Sequence, residues 1–145
     1  MADKLHELKE RKAELVAAIK AAELNTSGEI RLHIEEKCKE DVLDRAAGVF
    51  DLLNMHRTAQ RNGVLFYLAT ADRQFAILGD VGINTKVPKD FWENIRNTVL
   101  EHFKQGQYVE GLCKGIEMSG AQLKAHFPYQ QSDKNELSDE ISFGK

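Results

Sequence analysis

The sequence holds only two cysteines, Cys38 and Cys113, in unrelated segments. That excludes a disulfide framework and the paired spacing of a zinc site, and it predicts reduced thiols in a cytoplasmic protein. No stretch approaches the roughly 20 apolar residues of a membrane helix. The N-terminal segment is charged from Asp3 onward, so no signal-peptide apolar region is expected and no membrane partner is read. A basic excess is missing too: the net charge is −3 and the pI near 6.0, which argues against a nucleic-acid partner. The densest basic stretch, "KLHELKERKAELVAAIK", carries Glu7, Glu10 and Glu14 among its lysines. It reads as a salt-bridged, solvated helix face.

Catalytic signatures are also absent. His33 and Glu35 spell H-x-E, the start of the zinc deaminase pattern, but the required P-C-x-x-C is missing. Neither cysteine is followed by an arginine six residues on, as a cysteine phosphatase loop needs. There is no G-x-x-x-x-G-K-[ST], no G-x-S-x-G and no H-E-x-x-H. His6, His33, His56, His102 and His126 are scattered over separate elements, which predicts surface or capping roles. Cys38 reads as a strand-end thiol, Cys113 as a packed core thiol, and Trp92 as core beside Phe91 and Ile95.

What is present is one domain's worth of patterned chain, 145 residues with 42% apolar and 30% charged. Residues 4–24 carry Leu5, Leu8, Leu15, Val16, Ile19 and Ala22 near helical spacing, stopped by Asn25 and Gly28. "EIRLHIEEK" (29–37) alternates, with Ile30, Leu32 and Ile34 on one face and Arg31, His33 and Glu35 on the other. This predicts a strand with one wet face near a sheet edge. Residues 41–56 read as a helix N-capped by Asp41. "GVLFYLAT" (63–70) is apolar throughout, a strand buried on both faces, and "RQFAILG" (73–79) follows too soon for a crossover, so the two form an antiparallel hairpin. A helix is expected to open at Pro88, and another to run over 108–126. Residues 1–128 form the domain in this reading; 129–145 are a polar tail, mobile or draped on the surface, whose removal after Tyr129 should change stability by less than roughly 1 kcal/mol.

The order α-β-α-β-β-α-α predicts a small mixed sheet: a right-handed parallel crossover joins the first two strands, and the third returns antiparallel. The expected fold class is α/β, a sandwich of helices on that sheet. The end of the third strand then lies at the beginnings of the first two. "TSGE" (26–29), "RNG" (61–63) and "GDVG" (79–82) meet at one rim, where Gly28, Gly63, Gly79 and Gly82 shape loops around Ser27, Glu29, Asn62, Asp80 and Asp90. The other rim, the usual ligand side of an open parallel sheet, offers Glu36, Lys37, Cys38, Asp41, Asp72 and Arg73. Both rims stay open; the glycine pattern favours the first. Asp80 itself is read two ways, as turn chemistry or as a ligand-bearing carboxylate.

"NTSGEIRLHIEE", "RNGVLFYLATADRQFAILGDVGI" and "QGQYVEGLCKGIEMSGAQLKAHFP" together resemble the TPM domain, a family of thylakoid-lumen photosystem II repair proteins and many bacterial proteins. The resemblance spans about residues 10–128, and "NELSDEISFGK" looks like the tail of a short soluble bacterial subgroup. It implies a Rossmann-like, three-layer α/β/α sandwich, a phosphatase label, and divalent-cation binding in some members. Many relatives carry a signal peptide and a transmembrane or Gly/Ser-rich tail, features not read in this sequence. Where relatives are membrane-linked, another residue often replaces Asp80.

Two functions follow as expectations. One is a metal-assisted phosphomonoesterase, with Asp80 and Glu29 holding the ion and Lys86 or Lys89 meeting the phosphate. The other, favoured because no nucleophile–base pair is visible, is a monomeric ion-binding interaction module. Its Ca²⁺ or Mg²⁺ would be held by oxygen atoms of Asp80, Glu29, Asn62 and Asp90, and it would act on a protein partner that the sequence does not name.

Overall fold

The computed structural model describes residues 2–88, 90–128 and 141–144. A four-stranded mixed sheet in the order β3-β2-β1-β4 carries six helices among the described residues. The strands are β1 (Glu29–Glu35), β2 (Gly63–Ala69), β3 (Gln74–Gly79) and β4 (Ser142–Phe143); the helices are α1 (Ala2–Glu10), α2 (Lys12–Glu23), α3 (Val42–Leu52), α4 (Val81–Asn84), α5 (Phe91–Lys104) and α6 (Tyr108–His126).

β2 is buried at every position, as its unbroken apolar run requires. It pairs in parallel with β1, from Glu29↔Gly63 to Glu35↔Ala69, and antiparallel with β3, from Val64↔Gly79 to Ala69↔Gln74. Strand alternation divides the interior. Ile30, Leu32, Ile34, Val64, Phe66, Leu68, Phe75 and Ile77 face α1, α2, α5 and α6, joining Leu15, Ile19, Ile95, Val99, Leu112 and Ile116. Leu65, Tyr67, Ala69 and Ala76 face the other way, toward Ala46 and Val49 of α3 and Met55.

Local chemistry moves several expected boundaries. The first predicted helix is two, α1 and α2, broken at Arg11, which is drawn off to Glu7, Glu14 and Glu110. Asp41 does cap α3, accepting from Leu43 N and Asp44 N, but α3 ends at Leu52 and a 3₁₀ turn covers Met55–Arg57. Pro88 does not open α5; it stands one turn earlier, its carbonyl accepting from Phe91 N at 3.1 Å.

The larger corrections concern the sheet edge. β1 is not an edge strand, because β4 pairs with it in parallel at His33↔Ser142 and Ile34↔Phe143. Its polar face is not wet either: His33 is 3% and Glu35 2% exposed. Part of the expected polar tail therefore belongs to the core. Ile141 is buried, and Phe143 packs against the larger apolar cluster. Residues 129–140 lie outside the described residues. Ile141→Ala should cost about 2 kcal/mol, the low end for a buried aliphatic, measured by urea unfolding. A loss within the scatter of surface changes, under about 0.5 kcal/mol, would show that the segment adds nothing to the core.

Candidate functional site

The three glycine-bearing loops do meet at the N-terminal rim of β1 and β2. Asp80 N donates to Gly63 O at 3.0 Å, Gly82 N to Arg61 O at 2.9 Å, and Glu29 N to Asn62 O at 3.3 Å. The loops lie so close that a Cβ on Gly82 would fall 2.6 Å from the Arg61 carbonyl and nearer still to that of Gln60. Gly79 is similarly confined beneath the Trp92 ring, and Gly28 against Leu123. Ser27 Oγ accepts from Gln60 Nε2 at 3.0 Å and from Asn62 Nδ2 at 3.3 Å.

Asp80 is both a turn residue and a charged partner. Its carboxylate caps α4 through Val81 N at 2.7 Å. It also takes a two-pronged contact from Arg61, Nε at 2.7 Å and Nη2 at 2.9 Å. The Asp80 side chain is 4% exposed, the Arg61 side chain 48%. Asp80 in turn holds the guanidinium even more firmly protonated than usual, chiefly through that hydrogen bond. Arg61 has φ +52°, the left-handed region that an L side chain enters at a cost of about 1 kcal/mol. Beside it Asn62 is 1% exposed, and its Oδ1 is buried with no hydrogen-bond partner among the described residues.

Glu29 is buried at the start of β1. Asp90 stands exposed at the N-cap of α5 without a side-chain cap bond. Lys86 turns to α6, its Nζ 4.4 Å from the Phe127 ring centroid and 3.5 Å from His126 O. Lys89 lies outside the described residues. Among the described residues, no group of three or more His, Cys, Asp and Glu is poised to hold a metal ion.

A second constellation, which sequence reasoning left as scattered surface residues, is buried near the opposite rim. Glu35 accepts from Arg45 Nε and Nη2, both at 2.9 Å, and from Tyr67 OH. His33 Nε2 lies 3.1 Å from Glu35 Oε1 and Nδ1 2.9 Å from Ser142 Oγ, and the His33 ring stacks on Tyr67. Burial alone would raise the Glu35 pKa, but the bonds from Arg45, Tyr67 and His33 outweigh it and hold the group at about 2. Burial, reinforced by Glu35 and Cys38, keeps Tyr67 protonated, and burial keeps His33 neutral against the pull of Glu35. A shallow cleft of about 590 Å³ lies above, lined by Glu35, Glu36, Lys37, Lys39, Glu40 and Arg45. The signal for this network was the alternation of β1: three polar side chains on one face beside a strand that offers a tyrosine on that same face, through the pair His33↔Tyr67.

Glu35 and His33 make the fold acid-sensitive in the same direction. His33 is lowered from 6.5, so its contribution is complete above pH 6.5 and is lost as the pH falls below it. Glu35 adds a contribution that is present above 4.5 and is lost between there and about 2. In Glu35→Gln the second loss should vanish and stability at pH 7 should fall by about 2–4 kcal/mol, because Arg45 and the ring partners lose a buried anion. Denaturant unfolding at stepped pH reads both effects; an unchanged acid limb in the variant would refute the assignment.

The TPM domain family matches residues 3–122. The NMR structure of the BA42 protein from the psychrophilic bacterium Bizionia argentinensis is 47% identical, covers 93% of each chain and superposes with a TM-score of 0.87. The N-terminal domain of a P. gingivalis protein is 18% identical over 79% of this chain and 76% of that one, with a TM-score of 0.64. The N-terminal domain of a Corynebacterium glutamicum protein is 14% identical over 86% and 77%, with a TM-score of 0.63. At those identities, the last two share the fold alone. Nothing among curated proteins matches. No helix of the described residues is long and apolar enough to cross a membrane. With the family matched over most of its length and a 47% identical relative across nearly all of it, the chain belongs to the TPM domain family.

Proposed function

We propose that this TPM domain is a non-enzymatic, monomeric ion-binding module, whose N-terminal rim takes up Ca²⁺ or Mg²⁺ weakly and presents the result to a protein partner. Its helices and sheet read as a three-layer α/β/α sandwich of Rossmann-like type. The two free thiols, Cys38 and Cys113, fit a reducing compartment, and we place the protein in the cytoplasm.

The observation that carries the reading is the buried Asn62 Oδ1, without a hydrogen-bond partner among the described residues, one position along the chain from Arg61 of the Arg61–Asp80 pair. A buried carbonyl oxygen without a donor costs about 1–3 kcal/mol, and a hard cation satisfies it as well as a hydrogen bond does. The Asp80 carboxylate is already neutralised by a cation, the Arg61 guanidinium. That side chain is half exposed, so it returns to water at little cost. A divalent ion therefore competes with Arg61 for Asp80 and gains Asn62 Oδ1. Glu29 and Asp90, which do not form a ready-made cluster with Asp80 among the described residues, would have to turn in as further oxygen donors, and water completes the shell. With few fixed protein ligands and an internal competitor, the dissociation constant should be on the order of 10⁻⁴ to 10⁻³ M.

The hydrolase alternative has less support. On the opposite rim Glu35 is held ionised, Tyr67 protonated and His33 neutral by one another, beneath the surface. Among the described residues these three groups supply no nucleophile–base pair to the cleft above, and Lys86 is engaged with α6 instead of the Asp80 rim.

The test is an NMR titration of wild type, Arg61→Ala and Asp80→Asn with CaCl₂ and MgCl₂. Wild type should shift at Gly79–Gly82, Gly28–Glu29 and Asn62. Arg61→Ala should bind about tenfold tighter, since removing the internal cation raises the competent fraction; Asp80→Asn should not bind. Wild-type spectra without shifts at those residues would end the reading, and shifts confined to Cys38–Asp41 and Asp72 would move the site to the other rim.

A further inference from the structure

Both ring nitrogens of His33 lie against residues 141–144. Nδ1 is 2.9 Å from Ser142 Oγ, within the ladder pair His33↔Ser142. A Cβ on Gly144 would fall 2.9 Å from Nε2 and closer still to Glu35 Oε1, so the glycine backbone closes over that side as well. With these residues in place His33 is 3% exposed. Its other covers belong to the body of the fold: Tyr67 of β2 stacks on the ring, and Glu35 lies 3.1 Å from Nε2.

The ring is neutral in this arrangement. The Glu35 carboxylate accepts from Nε2, so that nitrogen carries the proton and Nδ1 is left to accept from the Ser142 hydroxyl. A second proton would go to Nδ1 and remove the acceptor of that bond. The charged groups facing the ring are Arg31 and Glu35 on β1 and Arg45 on α3; Tyr67 of β2 is kept protonated and Ser142 of β4 is uncharged. Glu35 already takes two bonds from Arg45 and one from Tyr67 OH, and the two guanidiniums oppose a further positive charge. A buried imidazolium is therefore costly here until water reaches it.

Water reaches it most readily through β4. Among the described residues β4 pairs with two positions of β1, whereas β2 pairs along all seven. The segment lies at the outer edge of the sheet, close to the chain end, where local opening is easiest. Its anchors are the bond from Gly144 N to Ile34 O at 2.8 Å, the buried Ile141, and Phe143, whose ring centroid is 5.4 Å from Lys9 Nζ of α1.

We infer that residues 141–144 are a proton-released strap: charging of His33 frees them from β1 while β1, β2, β3 and the helices keep their packing. His33 is held below 6.5 with the strap on and returns to that value with the strap off, so the open form binds more protons and acid favours it. Glu35, held at about 2, stays ionised while His33 titrates. The strap sits near the Glu35 end of β1, away from the Asp80 rim, and the inference does not rest on the cation reading.

Amide hydrogen exchange on the full chain tests it, with rates corrected for the pH dependence of an unprotected amide. From one pH unit above 6.5 to one below, protection of the Gly144 amide should fall about tenfold, the ratio for one proton taken up by the open form alone. At both pH values it should stay at least about tenfold below that of Phe66 and Leu68 in the buried β2, whose amides report opening of the whole fold. His33→Gln keeps a side-chain donor for Glu35 but does not titrate, and it should abolish the pH response of Gly144. Gly144 protection that ignores pH overturns the inference. So does protection equal to that of Phe66 and Leu68, because the strap then opens only with the whole fold, and so does a pH response that persists in His33→Gln, because another group then takes the proton. If that variant does not fold, wild-type His33 replaces it: its ring and the Gly144 amide resonance must titrate together, at one midpoint below 6.5. A ring that charges while Gly144 keeps its shift and protection refutes the strap.

Discussion

The parallel pairing of β1 with the fully buried β2 is the constraint on which the rest depends. β2 has no wet face, so it needs a neighbour on each side and a helical layer on each face. The register Glu29↔Gly63 places the loops before both strands side by side, and the antiparallel return of β3 brings Asp80 to the same place. The meeting of Arg61, Asn62 and Asp80 is thus a consequence of strand direction. The far end of the same register sets Glu35 against Ala69 and His33 against Tyr67, which assembles the second polar constellation.

These two polar sites handle charge differently. Glu35 is a buried anion with a full set of donors from α3, β2 and its own strand, fixed in one protonation state. Such a network holds α3 and the 141–144 segment to the sheet and offers nothing exchangeable. Asp80 is equally buried, but its main partner is a solvent-facing arginine in a strained backbone position, and the residue that follows, Asn62, has an amide oxygen without a partner among the described residues. One site is closed chemically; at the other the carboxylate's main partner is a guanidinium that faces solvent.

Much of this was legible in the sequence because hydrophobic periodicity is a local signal. β2, β3 and α6 follow directly from their apolar runs, and the convergence of "TSGE", "RNG" and "GDVG" follows from strand direction alone. β4 was not legible, since two residues have no period and their pairing is decided 109 positions away in sequence, at His33. The burial of His33 and Glu35 was lost for the same reason: alternation showed a polar face, but the cover came from Arg45 and Ser142, which no local pattern connects to it. Arg61 was missed because its role depends on a left-handed φ in a loop, for which arginine gives no compositional cue. The glycines were better guides: Gly82 and Gly79 mark places where carbonyls and an indole ring leave no room for a side chain.

The central claim is that the Arg61 guanidinium is a resident cation which an external one replaces. The Arg61 Nε–H, which donates to Asp80 at 2.7 Å, reports this directly in a ¹⁵N side-chain spectrum. Without divalent ions its resonance should be sharp and protected from solvent exchange. With saturating CaCl₂ or MgCl₂, at matched ionic strength, it should move to the position of a free arginine and exchange freely, while the Arg45 Nε–H on Glu35 stays unchanged. An Arg61 resonance that keeps its shift and protection at saturating cation would contradict the account.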